Sequence, residues 1–61
     1  MIPIKLIIRT ISEAIDLALK KQDSYNLDRY AALLNRVMND NKKITMAEYM
    51  DCKLYLGHSM D

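Results

Sequence analysis

The sequence predicts a small α+β domain: an N-terminal strand, two helices and a third, C-terminal helix, with the strand paired to its copy in a homodimer. Three observations carry this expectation. Residues 2–9 alternate Ile2, Ile4, Leu6 and Ile8 with Pro3, Lys5, Ile7 and Arg9, the two-residue period of a strand, and their β-branched content suits an extended chain. Thr10 followed by Glu13 matches a capping box, in which two side chains satisfy each other's free backbone N–H, so a helix should start only after that stretch. The chain has 61 residues and one cysteine; a domain this small, with no internal disulfide, commonly gains stability by pairing.

The first helix is expected over residues 11–21, through Ala14, Ile15, Leu17 and Ala18. The polar cluster Gln22 to Asn26 ends it. A second helix is expected over 27–39, because Leu27, Tyr30, Ala31, Leu34, Val37 and Met38 recur at spacings of three and four, with Asn26 as its N-cap. Asn39 to Lys43 form the next connection. Thr45 and Glu48 make another capping box and predict a third helix over 46–59. Its Tyr49, Cys52, Leu56 and Met60 share one stripe, a candidate surface for a partner protein, flanked by Met46, Met50 and Leu54.

An all-α alternative stays open. Ile4, Ile8, Ile11 and Ile15 form one helical stripe, and Lys5, Arg9, Glu13, Asp16 and Lys20 another. On that pattern residues 3–21 are a single long helix with Pro3 at its first position, where the missing N–H costs nothing, and the fold is a three-helix bundle. The Thr10 capping box and the isoleucine clustering favour the strand.

The stretch Lys5 to Leu17, KLIIRTISEAIDL, resembles the Arc-type repressors of the ribbon-helix-helix fold, and the resemblance extends over about Ile4 to Met38. It implies a homodimer whose two strands form one antiparallel ribbon. Ile2, Ile4, Leu6 and Ile8 would line the inner face of that ribbon, over a dimer core that includes Ala14, Leu17, Ala18 and Leu34. It further implies a sequence-specific regulator of transcription, a repressor, that lays the ribbon in the major groove of double-stranded DNA. Lys5, Ile7 and Arg9 would then contact bases, while Ser24 and Asn26, with amides at the start of the second helix, would contact phosphates. A fainter similarity links Leu34 to His58 to the Hha-type nucleoid-associated proteins, which bind partner proteins.

Composition narrows the other classes. Nine Lys and Arg against eight Asp and Glu leave a formal charge of +1, which is low for a DNA binder and suits the second expectation, a non-enzymatic helical module that buries an amphipathic helix against another protein. One glycine excludes a glycine-rich phosphate loop. One His and one Cys, six positions apart, give no zinc set and no nucleophile–base pair. Glu13 and Asp16 lie one turn apart and are expected to face water rather than act as a catalytic pair. No cofactor, metal or catalytic residue is expected. Lys5 and Arg9 break the apolar start, so a secretory signal is not expected, no run reaches the ~20 residues of a membrane span, and the expected compartment is cytoplasmic.

Overall fold

A computed structural model describes residues 3–40 and 44–57. Three helices follow one another: α1 over Ile4–Lys21, α2 over Ser24–Asp40 and α3 over Met46–Tyr55. The described residues contain no strand, so the all-α alternative describes the chain and the α+β expectation is corrected. Ile2, His58 and Met60 lie outside the described residues.

The correction has a physical cause. A lone strand must find a second strand for its backbone hydrogen bonds, whereas a helix satisfies them within the segment. The 4–21 stretch takes the second course. Pro3 stands just ahead of the first turn with an extended backbone, and its carbonyl accepts from the N–H groups of Leu6 and Ile7 at 3.0 and 3.1 Å. Thr10 is not a cap. It is buried mid-helix, and the Glu13 carboxylate reaches back to Arg9 at 3.4 Å, one turn away, instead of to a free backbone N–H.

The link from α1 to α2 needs no glycine. Gln22 takes the left-handed conformation, φ 55°. Its N–H bonds to the Leu19 carbonyl at 3.1 Å and the Asp23 N–H to the Ala18 carbonyl at 2.9 Å, the paired closure of a Schellman turn. Asp23 then caps α2 by accepting from the Asn26 N–H at 3.3 Å. That places the helix start at Ser24, three residues before Leu27, and replaces Asn26 as the cap. At α3 the expected box forms as read: Glu48 N–H to Thr45 Oγ1 at 3.1 Å, Thr45 N–H to Glu48 Oε1 at 2.8 Å. The helix ends at Tyr55 rather than residue 59, and Gly57 follows with φ 80°.

α1 packs against both other helices and supplies half of the buried apolar residues among those described. Ile7, Ile11, Ala14 and Ala18 recur at four, three and four residues and are all buried. Tyr30 and Val37 of α2 and Tyr49 and Cys52 of α3 close on this row, with Ile8, Ile15, Leu33, Leu34, Ile44, Tyr55 and Leu56 packed around it. The molecule is flat, 29 × 28 × 16 Å.

Ile11 has no exposed surface, and its truncation leaves a cavity in the core that the three helices share. Ile11→Ala should lower the unfolding free energy by about 3 kcal/mol, and Ile11→Val by about 1 kcal/mol, both read from urea melts followed at 222 nm.

Candidate interaction surface

The positions of the helices around α1 decide which side chains are free. α3 lies against one side of the α1/α2 pair, held to α2 by two charged contacts. Arg29 Nη2 meets Asp51 Oδ2 at 2.6 Å, and Arg36 Nη2 meets both oxygens of Glu48 at 2.7 Å. A third carboxylate works at the far end: Asp23 Oδ2 accepts from the Asn26 amide at 2.7 Å and from the Tyr55 hydroxyl at 2.9 Å. The Tyr30 hydroxyl, 3.3 Å from Asp51, and the Tyr30 ring against Tyr55, centroids 5.3 Å apart, fill the space between these contacts. Lys21 lies over the Tyr55 ring at 5.0 Å.

Between α2 and α3 these groups leave an open groove of about 320 Å³, lined by Arg29, Tyr30, Ala32, Leu33, Arg36, Glu48 and Asp51. Its charges are paired with each other, Arg29 with Asp51 and Arg36 with Glu48, while the buried Arg36 Nε has no hydrogen-bond partner among the described residues. Burial and the neighbouring Asp51 push the Tyr30 phenol up to about 12, and burial pushes the Cys52 thiol up to about 11. Both stay protonated at neutral pH, and the thiolate that cysteine chemistry requires is absent.

Among the described residues no helix lies on the opposite side of the α1/α2 pair. At 3.6 residues per turn, Leu27, Ala31, Leu34 and Met38 stand on the side of α2 away from Arg29 and Arg36, the residues that reach α3. On α1, Ile4, Ile8, Ile15 and Leu19 stand away from Leu17 and Lys21, which border Leu56 and Tyr55 at the C-terminal end of α3. The two stripes share one face. Ile8, Ile15, Leu27 and Leu34 are half-buried there, while Ile4, Leu19 and Met38 are 48%, 56% and 60% exposed and Ala31 is exposed beside them.

No protein-family model, characterised protein or solved structure matches this chain. The surface must therefore be read from its own chemistry.

The site residues expected from sequence fall in several places. Lys5 and Arg9 are exposed, but on a helix rather than a ribbon, and Arg9 is paired with Glu13. Ile7, between them in sequence, is only 7% exposed and belongs to the core, so the three form no outward row. Ser24 opens α2 in the open, whereas Asn26 spends its N–H and amide on Asp23 and its oxygen on Arg29 at 2.6 Å. The place a phosphate would take at that helix start is held by the Asp23 carboxylate. Of the residues expected in a dimer core, Ala14 and Ala18 are fully buried within the chain, Ile8, Leu17 and Leu34 are half-buried, and Ile4 and Leu6 are exposed. Tyr49 and Cys52 face inward and Leu56 is half-buried; the exposed stripe of α3 is Met46, Met50 and Leu54. Among the described residues no group of His, Cys, Asp and Glu is placed to hold a metal, and no helix is long and apolar enough to cross a membrane.

The carboxylates that hold α3 make its attachment sensitive to acid. Hydrogen bonds from Asn26 and Tyr55 hold the Asp23 carboxyl below its ordinary 3.8, and Arg36 with the Thr45 N–H holds Glu48 below its ordinary 4.5. A depressed folded value means stabilisation that is complete above those ordinary values and lost as pH falls through the lower folded ones. The thermal midpoint should be flat from pH 7 to about 5 and fall steeply towards pH 2. Asp23→Asn keeps an N-cap of equal rank but lacks the charge that the Asn26 and Tyr55 hydrogen bonds stabilise, so its midpoint at pH 7 should lie below that of the parent and its acid-induced fall should be smaller.

Proposed function

We propose that this chain is a non-enzymatic interaction module, which docks on another polypeptide through the α1/α2 face. The observation that supports it best is the position of Ile4, Leu19 and Met38: large apolar side chains, about half or more exposed, on the one side of the α1/α2 pair that α3 does not cover. Each adds to a stripe that begins in half-buried Ile8, Ile15, Leu27 and Leu34. Such a face is suited to a helix or helix pair of like length, whose own apolar stripe would complete the burial.

The charge pattern fits the same reading. The formal charge of +1 is spread over nine cations and eight anions, with Arg29 spent on Asp51 and Arg36 on Glu48 between α2 and α3. A nucleic-acid ligand calls for a dense basic patch, and the two cations first read as groove contacts stand on the outer side of α1, with Arg9 partnered by Glu13. The groups with latent reactivity, Cys52 and Tyr30, are buried and held neutral.

Site-specific photocrosslinking in cells that express the chain tests this directly. A benzoylphenylalanine at position 19 or 38 should give discrete protein adducts, while the same group at position 13 or 20, on exposed polar positions off the face, should give few. Equal yields from all four positions would overturn the reading, as would none from any.

A further inference from the structure

The size of the α1/α2 face, the thinness of the core behind it and the charges at its edge all bear on what covers it. We infer that the occupant is a second copy of this chain, packed face to face so that α1 lies antiparallel on α1 of the other copy and α2 on α2, as a four-helix layer with one α3 on each outer side. This deepens the reading of the α1/α2 face as an interface and rests on it.

Area is the first argument. Helices of 18 and 17 residues are about 26 Å long and, side by side, about 20 Å across. The face therefore offers about 500 Å² on each copy, or about 1,000 Å² in all, which meets the area a biological interface should clear and places the pair at the small, weaker end of the range. The stripes also match themselves. In the antiparallel arrangement Ile8 of one copy lies beside Ile15 of the other, and the small Ala31, near the middle of α2, lets the two α2 helices approach where the two-fold axis crosses them.

The core is the second argument. Of the eight buried apolar residues among those described, two are alanines and one is the cysteine, so the large side chains that are fully shielded there come to only a few, while Ile4, Leu19 and Met38 stay in water. Domains of about 60 residues gain little from one such core, and pairing is a common remedy. Burying three half-exposed side chains per copy adds apolar contact without any change in the fold.

The charges at the edge select the direction of the axis. Lys5 and Asp16 lie towards opposite ends of α1 on its outer side, and Asp28 lies on the outer side of α2. A two-fold axis across the helices brings Lys5 of one copy towards Asp16 of the other. An axis along the helices would instead bring Asp16 towards Asp28 of the other copy, like against like.

Sedimentation equilibrium on the purified chain is the test. The parent should sediment at twice its 7.1 kDa chain mass. Leu19→Lys with Met38→Lys, both at exposed positions, should sediment as a monomer with its far-ultraviolet helical signal retained, and Met46→Lys with Leu54→Lys, on the outer side of α3, should remain a dimer. Lys5→Glu should weaken the dimer about twofold at low salt, and adding Asp16→Lys to it should restore the parent value. A monomeric parent at millimolar concentration overturns the proposal, as does a dimer that survives at positions 19 and 38 and fails at 46 and 54. A dimer tightened by Asp28→Lys and indifferent to Lys5→Glu overturns the antiparallel arrangement. A monomeric parent whose position-19 and position-38 crosslinks reach a different protein overturns self-pairing alone and leaves the interaction-module reading standing.

Discussion

More of the circumference of α1 is apolar than two neighbouring helices can cover. Ile7, Ile11, Ala14 and Ala18 form the row that α2 and α3 close over, but Ile4, Ile8, Ile15 and Leu19 continue the apolar surface around the helix. A helix with a stripe of ordinary width needs one contact; one this wide needs contacts on more than one side. With α3 on one side and α2 next to it, the remaining arc faces outward. The flat outline, the open face and the small interior all descend from that mismatch.

The attachment of α3 shows a second way of making contact. It buries Tyr49 and Cys52 against the core, and its link to α2 is chiefly polar: Arg29 with Asp51, Arg36 with Glu48, and the Tyr55 hydroxyl on Asp23. The ion pairs are partly exposed, so each contributes modestly and is weakened by salt. Glu48 serves twice, as the capping partner of Thr45 and as the carboxylate that holds Arg36. A single side chain thus couples the local start of α3 to its placement on the rest of the chain.

Much of the chain was legible before the coordinates. The three- and four-residue spacing of Leu27, Tyr30, Leu34 and Val37 marked α2, and the Thr45–Glu48 box marked the start of α3 to the residue. Two signals misled. The alternation over residues 2–9 fits a strand and a helix alike, because isoleucine and leucine fill so many positions that either period finds an apolar partner. Thr10 and Glu13 have capping chemistry without being at a helix start; Arg9, one turn before Glu13, took the carboxylate. The links among Asp23, Arg29, Arg36, Asp51 and Tyr55 went unread, although Arg29 and Arg36 two turns apart on α2 and Glu48 and Asp51 one turn apart on α3 are a complementary pattern of charge.

The sequence by itself determined the number of connections, the helical nature of the second and third segments and the cap of α3, because these depend on residues a few positions apart. Only the tertiary structure decided which apolar stripe was spent inside. On α3 the inward stripe was Tyr49 and Cys52 and the outward one Met46, Met50 and Leu54; on α1 the row through Ile7 was buried and the one through Ile4 and Leu19 left in water. Neighbouring stripes on one helix are nearly equal in hydrophobicity, so burial goes to whichever one the packing directions of the other helices reach. Those directions are a property of all three helices together and not of any local run of residues.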